Sequence, residues 1–189
     1  IGTGATPETT GIFVGATTTV NVGTDNTFVA TDVDFWSLYI GGSNDFIADL
    51  ARDALVWTRE RLGPVGRAKL QRLSPADPDT EVPMFHGSPR DPVWEYVITI
   101  EQAREALQDR RVPLTLVGHT HVPFAWRLTP DGAMEAPGVP PEGLLELTDG
   151  RWLVNPGSVG QPRDRDARAS WALYDPEART IRFHRTPYD

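Results

Sequence analysis

Cysteine is absent from the 189 residues. That excludes disulfide scaffolds, zinc–thiolate sites, iron–sulfur clusters and thiol nucleophiles, and leaves His, Asp, Glu and Asn to hold any metal. It does not fix the compartment but fits a reducing cytoplasm, which is the expected location. No apolar run approaches the ~20 residues of a membrane-spanning helix, so a membrane protein is not expected. Residue 1 is Ile rather than Met, which predicts a processed, truncated or altered chain; no basic segment precedes an apolar stretch, so no signal peptide is expected to be readable. Basic residues are missing from the first 51 positions; all 18 Lys and Arg lie from Arg52 onward. No G-x-S-x-G string occurs, which sets aside a serine hydrolase of the nucleophile-elbow type.

What remains is the composition of a globular protein, 39% hydrophobic and 23% charged. The length suits one domain, or one domain with a small appendage. The net charge of −8 argues against non-specific binding to nucleic acid or to an anionic membrane. With 17 Gly and 17 Pro, many tight loops are expected. No repeat of solenoid length is present, and nothing sets an oligomeric state. The composition breaks near residue 45 and divides the chain into a Thr/Gly-rich β segment, 1–45, and a second part, 46–189.

Apolar periodicity and turn residues predict the elements. Residues 17–22 and 27–33 read as strands joined by a hairpin turn at 23–26. A helical stripe begins at Asp45 (Phe46, Leu50, Ala54, Trp57, Arg61) and stops at Gly63-Pro64. A shorter helix is expected over 65–73, a loop over 74–80, and a short strand over 81–85 that delivers His86 to a turn at Gly87. Residues 93–100 read as extended and 101–111 as a helix with Ala103, Ala106 and Leu107 inward. The apolar run 113–117 reads as a buried strand ending at Gly118-His119-Thr120-His121. Strands follow at 122–128, 144–147, 151–154, 169–174 and 180–184, with a mobile Pro/Gly-rich excursion at 130–143. A βαβ section followed by a meander predicts an α/β or α+β sandwich.

Histidine carries the chemical signal. His86, His119 and His121 each follow an apolar strand and stand beside Gly or small residues. Loops past the carboxyl ends of strands are where open sheets bind ligands, and imidazole is the commonest metal ligand near neutral pH. Gly118 permits a sharp turn, and Thr120 separates two imidazoles that a bent backbone can aim into one site. His184, in a terminal strand, reads as structural. The string Asn155-Pro156-Gly157-Ser158-Val159-Gly160 exposes backbone N–H groups that suit an anion, or else forms a plain loop. Arg163, Arg165 and Arg168 follow it among acids, as a solvated loop or a bidentate phosphate clamp. Trp126 and Trp152 are core candidates by default.

Three strings occur in order: His86-Gly87-Ser88-Pro89-Arg90-Asp91-Pro92-Val93-Trp94-Glu95-Tyr96, Gly118-His119-Thr120-His121-Val122-Pro123, and Asn155-Pro156-Gly157-Ser158-Val159-Gly160-Gln161-Pro162-Arg163-Asp164. Together they closely resemble the bacterial calcineurin-like metallophosphoesterases of the small phosphodiesterase type, over roughly residues 46–189. The resemblance implies a β-sandwich flanked by helices with two divalent metals at the sheet edge (Mn, Fe, Ni, Zn or Mg). It assigns His86 and His119 to one metal and His121 to the other. A metal-bound hydroxide would attack the phosphorus of a phosphodiester or phosphomonoester. The implied substrate is a phosphorylated small molecule or a nucleotide-type compound. Asn155 and Ser158 would shape the loop or face phosphate, Arg163 would bind substrate, and His119 and Asn44 are the catalytic candidates.

The first half departs from the family pattern. The family's D-x-H, G-D and G-N-H-D motifs are not intact. Asp32-Val33-Asp34 stands where D-x-H belongs, and Gly42-Ser43-Asn44-Asp45 is similar to G-N-H-D without its His. Asp32, Asp34, Asn44 and Asp45 are therefore the remaining metal-ligand candidates, because two close cations need carboxylates to offset their repulsion. Three explanations stay open: a fragment or altered form of an active enzyme, a diverged member with a reduced site, or a first segment whose residues are not the native ones. The functional expectation is a metal-dependent phosphoesterase. The alternative is a catalytically impaired binding or scaffold module on the same fold.

Overall fold

The protein is described from a computed structural model, which covers residues 11–14, 19–22, 28–29, 60–61, 63–70, 74–108 and 110–188. In chain order the elements are β1 (Gly11–Val14), β2 (Thr19–Val22), β3 (Phe28–Val29), α1 (Gly63–Leu70), β4 (Ala76–Asp77), β5 (Met84–Phe85), α2 (Ile100–Gln108), β6 (Leu114–Val117), β7 (Phe124–Leu128), β8 (Met134–Glu135), β9 (Gly143–Glu146), β10 (Arg151–Asn155), β11 (Ala169–Asp175) and β12 (Thr180–Thr186). They form three sheets: β1-β2-β3, the mixed six-stranded β4-β5-β6-β10-β7-β8, and the antiparallel β11-β12-β9. This is the mixed α/β architecture expected from the sequence.

Period-two alternation in the six-stranded sheet sets the layers. Leu114, Leu116, Trp152, Val154 and Ala125 face the small sheet and pack with Leu145, Ile181, Phe183 and Ala172. Val117, Leu153, Phe85 and Leu128 face the other way and pack on Ala103, Ala106 and Leu107 of α2. The two central strands, β6 and β10, are thus buried on both faces, which is why 114–117 reads as one unbroken apolar run. Trp152 lies in the core, and Trp126 stacks on Phe124 at 4.3 Å between ring centroids. Among the described residues, no helix is long and apolar enough to cross a membrane.

Several expectations need correction. Residues 74–80 are not all loop: Ala76 pairs with Phe85 and Asp77 with Met84, antiparallel. Residues 93–100 form no strand. The Asp91 carboxylate accepts from the Val93 and Trp94 N–H groups and so winds the start of that segment into a turn. The Pro/Gly-rich excursion contains β8, which pairs with β7. A helix begins at Gly63, where a stop was expected, and Pro64 at its first turn leaves no lost donor. The helical stripe from Asp45 lies outside the described residues except for 60 and 61, which are helical. In the first segment, β2 and β3 pair antiparallel, in line with a hairpin, and β1 adds a strand not anticipated.

Strand direction positions the site. β5 and β10 both pair parallel to β6, so the three strands end at one edge of the sheet. β7 runs antiparallel to β10 and begins at that edge, with Phe124 opposite Asn155. His86, the Gly118–His121 turn and the loop after Asn155 therefore meet along one rim, although long stretches of chain separate them.

Candidate metal centre

His86 follows β5 directly. The Gly118 N–H donates to the His86 carbonyl at 2.9 Å and extends the β5–β6 ladder one step past the strands. Beyond His86 the chain folds back: Gly87 N donates to the Pro92 carbonyl at 2.8 Å and Ser88 N to the Asp91 carbonyl at 2.9 Å. The Ser88 hydroxyl accepts from Arg90 N and Asp91 N, and it donates to the Glu95 carboxylate. Glu95 also pairs with Arg90, which reaches Glu105 on α2. The conspicuous polar residues of this string are thus occupied in holding the loop.

Both histidines of the Gly-His-Thr-His turn are left-handed, with φ of 62° at His119 and 60° at His121. For residues with a side chain this conformation costs about 1–2 kcal/mol each. It bends the backbone twice within three residues. Asn155, fully buried at the end of β10, holds the bend: its Nδ2 donates to the Gly118 carbonyl at 2.8 Å and to Thr120 Oγ1 at 2.9 Å. Its Oδ1 accepts from Gly157 N at 2.8 Å. Ser158 is buried too, and its hydroxyl accepts from Gly160 N and Gln161 N. Of the two roles expected for Asn155 and Ser158, loop shaping is the one their hydrogen bonds serve.

The imidazoles converge and are buried, with 1% of His86, 9% of His119 and 5% of His121 exposed. The His86 and His119 rings meet edge to face, 4.3 Å between centroids. His121 Nδ1 donates to the Gln161 carbonyl at 2.7 Å, which leaves Nε2 as the nitrogen with a lone pair. Burial pushes the His86 pKa down to about 2, helped by the charges of His119 and His121. Burial also lowers His119 to about 4, with His121 and Arg163 adding to it and a backbone hydrogen bond at Trp94 opposing. His121 falls to about 4 through burial and Arg163, against the bond to Gln161. All three rings are therefore neutral near pH 7.

Both ring nitrogens of His86 and Nε2 of His119 are buried with no hydrogen-bond partner. Orphaned polar atoms of this kind are costly; each neutral ring carries one lone pair, so a cation would engage one nitrogen of His86 and Nε2 of His119 and offset part of that cost. The donors present thus fit a divalent metal in chemistry. Among the described residues, however, no group of three or more His, Asp or Glu side chains is arranged to hold an ion. Asp32, Asp34, Asn44 and Asp45, the remaining candidates, lie outside the described residues.

Arg163 lies beside the histidines. Its Nη1 is 3.5 Å from the Tyr96 hydroxyl and its Nη2 is 3.4 Å from Gln161 Oε1, while its backbone N–H donates to the His121 carbonyl at 3.3 Å. Arg168 turns instead to Asp166 and Glu142. His184 stacks on Trp171 at 4.1 Å, and its Nε2 is also buried without a hydrogen-bond partner. Tyr96, which sequence reasoning gave no role, stacks on His119 at 3.8 Å and 28°. Its place in the quoted string was visible, but the ring contact was not.

Residues 16–179 match the model of the calcineurin-like phosphoesterase superfamily domain, and the chain belongs to that superfamily. It is 36% identical to a metallophosphoesterase from Sphaerobacter thermophilus of known crystal structure, with a TM-score of 0.64 over 83% of this chain and 64% of that one. It is 34% identical, over 108 residues, to an uncharacterized protein of Methanocaldococcus jannaschii, covering 55% of this chain and 40% of the relative. A hypothetical protein from Pyrococcus horikoshii shares the fold at 24% identity, with a TM-score of 0.53 over 80% of this chain and 55% of that one. The chain thus spans less than two thirds of the length of each of these relatives.

Proposed function

We propose that this chain carries the His-rich half of a metal-dependent phosphoesterase site. The observation behind this reading is the set of buried imidazole nitrogens without a hydrogen-bond partner, both of His86 and Nε2 of His119, beside His121 on one rim of the sheet. His86 and His119 would hold one divalent cation and His121 the other, with Asp32, Asp34, Asn44 and Asp45 as candidates to complete the set. When bound, such cations supply Lewis-acid charge to the phosphoryl oxygens and lower the pKa of water toward neutrality.

The protein's own groups do the rest. Neutral imidazoles keep their lone pairs free at pH 7. The Gln161 carbonyl fixes the His121 tautomer and aims its Nε2. Arg163 offers a guanidinium for a phosphate oxygen beside the imidazoles. Burial keeps water from the ring nitrogens and strengthens each electrostatic contact.

The test is metal content together with cleavage. Protein loaded in saturating Mn should retain metal and hydrolyse a chromogenic phosphodiester, and His119→Ala and His121→Ala should lower both. Protein that holds no stoichiometric metal and cleaves nothing would leave only the binding-module alternative.

A further inference from the structure

Tyr96 is 41% exposed and belongs to neither hydrophobic core, yet its ring lies against His119 with 3.8 Å between centroids and 28° between planes. The residues on either side of it are anchored. Glu95 is held by the Ser88 hydroxyl and by Arg90, and Val97 is buried in one cluster with Ala103 and Leu107 of α2. The tyrosine ring is therefore delivered to the imidazole by a stretch of chain fixed on both sides.

His119 has a use for such a neighbour. The last torsion of a histidine side chain is broad, so its rotamer leaves the plane of the ring open. At His121 the 2.7 Å bond from Nδ1 to the Gln161 carbonyl settles that plane. At His119 the Trp94 backbone is hydrogen-bonded to the ring, His86 meets it edge to face at 4.3 Å, and Nε2 has no hydrogen-bond partner. The flat contact with Tyr96 adds the missing restraint, because tilting the imidazole out of the stack drives its edge into the tyrosine ring. We infer that Tyr96 is a positioning residue for His119: its ring fixes the plane of the imidazole and with it the direction of Nε2. This rests on the metal-dependent reading above, in which His119 is a ligand, and adds a residue that acts through that ligand.

The experiment follows Tyr96→Leu and Tyr96→Phe with and without metal. In chelator-treated protein at pH 7, nitrogen NMR of the rings should show His119 as one tautomer in the unaltered chain and in Tyr96→Phe, and averaged between two in Tyr96→Leu. In calorimetric titration with Mn, Tyr96→Leu should bind about tenfold more weakly, and Tyr96→Phe should stay within about twofold of the unaltered chain. Urea midpoints of the metal-free proteins should agree, since the replaced ring lies outside both cores. Unweakened Mn binding or an unchanged tautomer in Tyr96→Leu overturns the positioning role and leaves the metal reading standing. Tyr96→Phe as weak as Tyr96→Leu overturns it too, by moving the effect to the hydroxyl. A lowered midpoint in Tyr96→Leu overturns it in favour of a tyrosine that serves folding alone. An unaltered chain that takes up no Mn removes the metal reading, and the positioning role then stands or falls on the tautomer signal.

Discussion

Asn155 donates to the Thr120 hydroxyl at 2.9 Å and ties the end of β10 to the turn that carries both left-handed histidines. The bond crosses 35 positions of sequence. Asn155→Ala strands the Gly118 carbonyl and the Gly157 N–H in the interior and should cost about 2–4 kcal/mol. Asn155→Asp keeps the acceptor for Gly157 but turns a carboxylate on the Gly118 carbonyl, and should be no milder. Urea unfolding at constant m-value measures both. A loss under ~1 kcal/mol for Asn155→Ala would show that the turn holds itself.

Gly87 has backbone on its open side. A Cβ there would lie 2.5 Å from the Asp91 carbonyl oxygen and 3.1 Å from the Glu95 nitrogen. Neither atom can swing away as a side chain can. Gly87→Ala should lose more than ~2 kcal/mol of stability, visible as a lowered denaturant midpoint. A wild-type midpoint would mean that the 87–92 turn is loosely held.

Acid should destabilise the metal-free protein. His119 and His121 fall to about 4 on folding and His86 lower still, against 6.5 for the free side chain. Between those values the unfolded chain binds more protons than the folded one, so stability rises with pH. The contribution is full above about pH 6.5 and is lost as pH falls toward 4. Melting temperatures in a chelator from pH 7 to pH 4 should drop, and His119→Gln should flatten the slope. An identical slope in the variant would refute the assignment of this loss to the imidazoles.

The loop that carries Gln161 and Arg163 is anchored by a buried charge. Arg185 on β12 pairs with Asp164, and its Nε lies 3.9 Å from Asp166. Arg185→Ala leaves Asp164 without its partner and should cost about 3–5 kcal/mol. Combining Arg185→Met with Asp164→Asn removes both charges and should recover most of that loss. The His121 Nδ1 proton, followed by NMR, should exchange faster in the single variant as the Gln161 carbonyl loosens. Unchanged exchange would separate the anchor from the site.

Much of the architecture was legible because it is written in local pattern. The unbroken apolar run at 114–117 marked a doubly buried strand. Ala103, Ala106 and Leu107 marked the inner face of α2, and the alternating strands near the C-terminus lie where periodicity placed them, within a residue or two. Errors arose where side chains override propensity. Val93–Trp94 looks extended until the Asp91 carboxylate captures both N–H groups. Ala76–Asp77 looks like loop until β5 supplies a partner.

The identity of the three imidazoles and their order along the chain follow from the residues themselves, as does the donor chemistry of imidazole. Their meeting does not. It depends on β5, β6 and β10 lying side by side and pointing the same way, and that pairing is selected by core packing between residues far apart in sequence. The same long-range packing sets the paired left-handed bends, the Gln161 carbonyl on His121 and the Tyr96 ring on His119. None of these has a local signal, because each is a contact made only once the layers close.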